Sequence, residues 1–173
     1  PIDVQSATID PDTLRRWTVP PTAPSSCTAA VAEVVQRLRE AKRPVIMAGT
    51  GVRAAGAVAE FESLIRRLGI PVTTAWTHDL IASDDPLYCG RPGSIGTRAG
   101  NFTVQSADLL LVLGSRLNIR QVSYNWQAFA PRAFKIQVDI DAAELAKPTV
   151  KPDLAVQADL EEVLAILDFA LAG

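Results

Sequence analysis

The sequence predicts a doubly wound α/β domain: a parallel sheet of about five or six strands with helices on both faces and right-handed crossovers. Three observations lead there. Short apolar runs alternate with segments of helical spacing from residue 28 onward. Glycines follow two of those runs directly, at Gly49-Thr50-Gly51 and at Gly114. Of the 173 residues, 48% are hydrophobic, ample for one core.

Residues 1–27 are rich in Pro, Ser, Thr and Asp, and Pro20, Pro21 and Pro24 forbid a long helix there. They read as an interdomain linker, with the domain proper at 28–173. Val31, Val34, Val35 and Leu38 recur at helical spacing, so a helix is expected over 28–42, ending before Pro44. Residues 44–48 are short and apolar and run into Gly49, as a buried parallel strand does. Val58, Phe61, Ile65 and Leu68 mark a helix stopped by Gly69 and Pro71, and 72–75 supplies the next strand, completing a β-α-β unit. Six glycines and prolines, from Pro86 to Gly100, interrupt the stretch from 76 to 100, which is expected to be loop with at most one helical turn. A short helix near 98–106, strands at 109–113 and 134–138, a short helix over 142–146 and a last strand at 155–157 follow. Asp159 and Glu162 stand at the N-cap and N3 positions of a capping-box-like start before Val163, Leu164, Leu167 and Leu171.

Composition excludes several classes. Seventeen basic and nineteen acidic residues leave a formal charge of −2 with no basic cluster, against nucleic-acid binding. No apolar run reaches the roughly 18 residues needed to cross a bilayer, and no signal-peptide pattern opens the chain, so a soluble, cytoplasmic protein is expected. Cys27 and Cys89 lack metal or redox spacing and read as buried or idle thiols. The chain begins at Pro1 and has Met47 as its one methionine, as expected of a cut or processed product.

Candidate site residues gather after the strands. Gly49-Thr50-Gly51, with Ala54 and Gly56 beyond, resembles a dinucleotide turn, or merely closes a β-α corner. The second strand ends Thr73-Thr74-Ala75-Trp76 with no acidic residue, against NAD. Arg116, after Gly114-Ser115, can hold a phosphate with Arg120 joining it, or can cap a helix or make an ion pair. Asp139 and Asp141 can accept from a ribose or an adenine amine; Asp141 can instead cap the helix at Ala142, and no His or third carboxylate supports a metal pair. His78, beside Thr77, reads as a solvated loop residue, and Trp76 and Trp126 as core or as a surface against a flat ring.

In order along the chain, these pieces resemble the middle domain of thiamine-diphosphate enzymes of the acetolactate-synthase type, a Rossmann-like fold. The residues that carry the resemblance are Ala41-Lys42-Arg43-Pro44-Val45-Ile46, Gly69-Ile70-Pro71-Val72-Thr73-Thr74, and Asn101 through Ala107-Asp108-Leu109-Leu110-Leu111 to Gly114-Ser115-Arg116. Lys135 to Asp141 followed by Ala143-Glu144 adds to it, and Pro1-Ile2-Asp3-Val4-Gln5 resembles the tail of a preceding domain. The resemblance implies 2-oxo acid decarboxylation and carboligation by a parent enzyme. Thiamine diphosphate and magnesium would be held by flanking domains of the same polypeptide, so this chain alone would be inactive. Homo-oligomers are implied as well. The middle domain of relatives holds FAD, holds ADP, or is empty. A flavin mode would use Gly49, Thr50 and Gly51, Ala75, Trp76, Thr77 and His78, Gly114 and Arg116, with Asp139 and Asp159 at the adenosine end.

Two departures count against flavin. Arg116-Leu117-Asn118-Ile119-Arg120 stands where flavin-binding synthases have Arg-Phe-Asp-Asp-Arg, and Ser94-Ile95-Gly96 stands where they have Met-His-Gly. They favour an empty or repurposed crevice. The wording of 114–121 resembles synthase-like members associated with surface polysaccharides. The alternatives are a free-standing nucleotide-binding module or an NAD enzyme of related fold.

Overall fold

The computed structural model describes residues 1–18, 27–76 and 79–172. Five strands form one parallel sheet in the order β2-β1-β3-β4-β5. In chain order, the N-terminal segment carries a single helical turn, α1 (Ile2–Gln5), and a 3-10 turn at Pro11–Thr13, started by the Asp10 carboxylate on the Asp12 amide. Every residue of 1–18 is exposed, Ile2, Val4, Ile9, Leu14 and Trp17 included. The layered domain then runs α2 (Thr28–Glu40), β1 (Pro44–Ala48), α3 (Gly51–Ala54), α4 (Val58–Leu68), β2 (Val72–Thr74), α5 (Arg98–Ser106) and β3 (Leu109–Leu113). It continues with α6 (Ile119–Val122), a 3-10 turn at Trp126–Ala128, β4 (Phe134–Asp139), α7 (Ala142–Ala146), β5 (Leu154–Gln157) and α8 (Leu160–Ala170).

The alternation of side chains along each strand divides the core in two. Ile46 and Ala48 of β1 with Leu109, Leu111 and Leu113 of β3 face α2, α4 and α8, packing on Val34, Phe61, Leu64, Val163 and Leu167. Val45 and Met47 with Leu110 and Val112 face the other way, against Val104 of α5, Val122 of α6, Phe129 and Ala133. All five residues of β3 are therefore buried, as befits a central strand covered on both sides. Each fully buried Leu, Ile or Phe side chain contributes about 1.5–3 kcal/mol, which makes these two layers the main source of stability.

Carboxylates set the register at the amino edge of the sheet. Asp108 accepts the amides of Lys42 at 2.9 Å and Arg43 at 2.8 Å, and its own amide donates to the Arg43 carbonyl at 3.2 Å. That clamp brings the entry of β1 beside the entry of β3, in register from Pro44 against Leu109. Asp153 repeats the device for β4 and β5: its carboxylate accepts the Lys135 amide at 2.7 Å and its amide donates to the Lys135 carbonyl at 2.8 Å.

Element boundaries agree with the sequence to within two residues, α2 ending at Glu40 rather than 42 because Lys42 and Arg43 turn to Asp108. Helix α4 stops on Gly69 at φ 60, as a left-handed cap requires. One expectation is corrected. Asp159 does cap α8 by accepting from the Glu161 amide, but Glu162 does not close a box; its carboxylate lies near the buried Cys27 thiol at the start of α2 and, after burial itself, helps to push that thiol up. The irregular stretch expected after β2 is also more ordered than its composition suggests. Residues 87–90 lie along the open edge of β2, with Val72 donating to the Leu87 carbonyl at 2.8 Å and Cys89 to the Val72 carbonyl at 2.8 Å.

Candidate functional site: the crevice at the sheet reversal

From the centre of the sheet the chain leaves β1 toward β2 and leaves β3 toward β4. The carboxyl ends of strands at such a reversal are where open α/β sheets hold ligands. Gly49-Thr50-Gly51 and Gly114-Ser115-Arg116 are the two segments that emerge there.

The two glycine turns lie directly against one another. The Gly49 amide donates to the Leu113 carbonyl at 2.8 Å, the Gly51 amide to the Gly114 carbonyl at 3.0 Å, and the Gly114 amide to the Val138 carbonyl at 3.1 Å. A Cβ placed on Gly49 would stand 2.2 Å from the Gly114 carbonyl oxygen, and one on Gly51 would stand 2.6 Å from the Gly114 Cα. Loop-to-loop contact thus requires these glycines, and the amides of Gly49, Gly51 and Gly114 are already engaged within the protein.

Beside the turns opens a crevice of about 380 Å³, walled by Thr50, Gly51, Gly114, Arg116, Asp139, Asp141, Glu144 and Asp159 with Leu160 at its floor. Its polar walls come from helix starts. Asp141 caps α7, accepting the Ala143 amide at 2.8 Å; Asp139 accepts the Asp141 amide at 3.0 Å; Asp159 caps α8, accepting the Glu161 amide at 2.9 Å. Arg116 pairs with Glu144 at 3.6 Å while 68% of its side chain stays exposed. Four carboxylates against one guanidinium give the lining a formal charge of −3. Two like unit charges 8 Å apart repel by about 2 kcal/mol at the effective dielectric of a protein surface, so this balance opposes anions. Among the described residues no group of three or more His, Cys, Asp or Glu is arranged to hold a metal ion.

Of the residues singled out in the sequence, Thr50, Gly51, Gly114, Arg116, Asp139 and Asp159 come together here, and Gly49 lies behind them, packed on Gly114. Ala75 and Trp76 do not line this crevice. Ala75 is buried at the end of β2, its amide donating to the Ala48 carbonyl at 2.8 Å, and Trp76 lies under the Arg120 guanidinium, 5.7 Å from the ring centroid. Arg120 therefore stacks on Trp76, and the partner of Arg116 is Glu144. Thr77 and His78 fall outside the described residues. Glu144 went unassigned to the site in the sequence; the signal was its place three residues after the capping Asp141, which turns it back toward the crevice.

Behind Arg116 sits a buried polar group. The Ser115 hydroxyl donates to Gln121 Oε1 at 3.0 Å, and Gln137 Nε2 donates to the Ser115 carbonyl at 3.3 Å. Gln121 also accepts the Asn118 amide at 3.3 Å while the Asn118 side chain accepts the Arg120 amide at 3.0 Å, a reciprocal cap that starts α6. This group fixes the path of the chain from β3 into Arg116 and Arg120.

Residues 31–167 match the family described as thiamine pyrophosphate enzyme, central domain. The chain belongs to that family. As a central domain of the acetolactate-synthase-like kind, it is 36% identical over 168 residues to acetolactate synthase isozyme 1 large subunit of Escherichia coli, covering 96% of this chain and 29% of that protein. It is 35% identical over 170 residues to the acetolactate synthase large subunit of Corynebacterium glutamicum, covering 96% of the chain and 27% of the relative. A probable acetolactate synthase large subunit of Methanocaldococcus jannaschii is 37% identical over 142 residues, 82% of the chain and 24% of the relative. The chain thus spans less than a third of the length of these relatives. The α/β architecture of five parallel strands is that expected of the central domain.

Proposed function

We propose that this central domain works within a thiamine-diphosphate-dependent enzyme that decarboxylates a 2-oxo acid and joins the resulting carbanion equivalent to an acceptor, as acetolactate synthases do. The observation that carries this reading is the 36% identity that extends over 96% of the chain. Thiamine diphosphate and magnesium would be held by flanking domains, since the lining of the crevice described above is acidic and suits neither a diphosphate nor, from its cap-engaged carboxylates, a metal cluster. The domain's own part would be to set the spacing of those neighbours from a rigid sheet, with residues 1–27 as the tether on one side and 28–173 as the body. Assembly of the whole protein into homo-oligomers in the cytoplasm belongs to the same reading. No helix among the described residues is long and apolar enough to cross a membrane. FAD or ADP is the nucleotide that such a reading would bring to the crevice, and the geometry weighs against both. A free-standing nucleotide module and an NAD enzyme are not favoured.

The test is carbon dioxide release by the full-length protein from a panel of 2-oxo acids, pyruvate first, with and without thiamine diphosphate and Mg²⁺. Release that requires both is expected, with none from residues 1–173 alone. A full-length protein that turns over no 2-oxo acid while binding thiamine diphosphate would sink the proposal.

A further inference from the structure

We infer that the crevice between β1, β3 and β4 is closed to nucleoside diphosphates, FAD and ADP included, and that its acidic lining is the dominant barrier. The inference rests on the reading of this crevice as the place where a middle domain of this family would hold a nucleotide.

Two features of the crevice agree, the packing of its glycine turns on one another and the charge of its lining. A diphosphate at a glycine turn is held by backbone amides that point outward. Here the Gly49, Gly51 and Gly114 amides point instead to the Leu113, Gly114 and Val138 carbonyls, at 2.8, 3.0 and 3.1 Å. A diphosphate also needs a slot between the turns. The backbones of Gly49, Gly51 and Gly114 fill it, so closely that a single added carbon on Gly49 would come within 2.2 Å of the opposite carbonyl oxygen. Finally, a diphosphate is repelled by surplus negative charge around it. Asp139, Asp141, Glu144 and Asp159 outnumber Arg116 four to one, and Glu144 already sits 3.6 Å from that guanidinium.

Engagement of the three glycine amides removes part of the usual favourable contacts, but only like charge actively expels an anion from a crevice open to solvent. Neutralising two of the four acids should therefore admit the ligand to the outer part of the crevice, where Arg116 is exposed, without any change in the turns. Glu144→Gln both removes a charge and releases Arg116. Asp139→Asn keeps an acceptor for the Asp141 amide, which preserves the local turn.

The experiment uses the full-length protein with thiamine diphosphate and Mg²⁺ at saturation, so that the cofactor's own diphosphate site is filled. Photolabelling with 8-azido-ADP is followed by mass-spectrometric mapping of labelled peptides, and flavin content is read from visible absorbance after incubation with excess FAD and desalting. In the wild type we expect no labelling of peptides carrying residues 49–55, 114–116, 139–144 or 158–160, and no retained flavin. The Asp139→Asn/Glu144→Gln variant is expected to gain saturable labelling of those peptides, at least tenfold above the wild type. Labelling of them in the wild type, or stoichiometric retention of flavin, overturns the inference. A wild type and a double variant that are equally unlabelled overturn the electrostatic cause assigned to it. Decarboxylase activity is read separately on the same preparation, so loss of the enzymatic reading is distinguished from loss of this one.

Discussion

Gly51 and Gly114 face each other across the carboxyl edge of the sheet, the amide of the first donating to the carbonyl of the second at 3.0 Å. A Cβ on either would meet the other's Cα at 2.6 Å, and one on Gly114 would also meet Leu160 Cδ1 at 2.7 Å. Gly114 has φ 58 as well, a region costly for any other residue. Gly114→Ala is therefore expected to destabilise the domain by about 3 kcal/mol, the sum of a left-handed penalty and overpacking. Gly56, at φ 73 with nothing within 4 Å of its Cβ position, is the comparison. Gly56→Ala should cost only about 1 kcal/mol. Urea denaturation of the two variants measures the difference, and equal midpoints would show that the turn can part without cost.

The amino edge of the sheet predicts a pH dependence. Burial alone would push the Asp108 carboxyl up, but hydrogen bonds from the Arg43 and Lys42 amides, with the Arg43 charge, outweigh it and hold the group below the usual carboxylate range. A carboxyl that binds protons less readily when folded adds stability that is fully present above its unfolded pKa, about 3.9 for Asp. That stability is lost as pH falls through the folded value. Asp108→Asn is expected to unfold at lower urea than the wild type at neutral pH, with the gap closing as pH falls below about 4. Urea midpoints taken across that range test it; a gap independent of pH would assign the loss to the amide's geometry alone.

How much of this was legible in the sequence depends on the range of the interactions. Val31, Val34, Val35 and Leu38 mark α2 because a helix buries one face, and 44–48 reads as a strand because a central strand buries both. Such patterns are local. The Arg116 and Glu144 pair, the Arg120 stack on Trp76 and the turn of Glu162 toward Cys27 are decided by which strand ends become neighbours. No spacing along the chain encodes that. The glycine turn illustrates the limit most clearly: the same Gly-Thr-Gly suits a phosphate or a facing backbone, and only Gly114, whose Cα would stand 2.6 Å from a Cβ on Gly51, distinguishes them.

The two thiols differ in a way that chemical labelling can read. Cys27 is 4% exposed, and burial, followed by the charge and hydrogen bond of Glu162, pushes its thiol up, whereas Cys89 is partly exposed beside β2. Thiolate is the reactive form, so Cys27 is disfavoured on both access and ionisation. Under native conditions a maleimide is expected to modify Cys89 first, with Cys27 following only on the timescale of unfolding. Comparable rates at the two positions would mean that the start of α2 opens independently of the core.

Ser115, Gln121 and Gln137 form the buried polar group that carries the chain from β3 to α6, and their coupling can be measured directly. Ser115→Ala removes one hydroxyl donor but leaves Gln121 Oε1 with the Asn118 amide, so a cost of about 1 kcal/mol is expected. Gln121→Ala removes that bond, the reciprocal cap of α6 and a buried side chain together, and should cost about 2–3 kcal/mol. Because the hydrogen bond between Ser115 and Gln121 is lost in either variant, the double variant should cost less than the sum by about 1 kcal/mol. Additive losses would mean that the 3.0 Å contact between Ser115 and Gln121 contributes nothing to stability and that each side chain acts through its packing alone. A coupled result would locate in this pair the restraint that keeps Arg116 at the mouth of the crevice, and Gln121→Ala should then also weaken the pairing of Arg116 with Glu144.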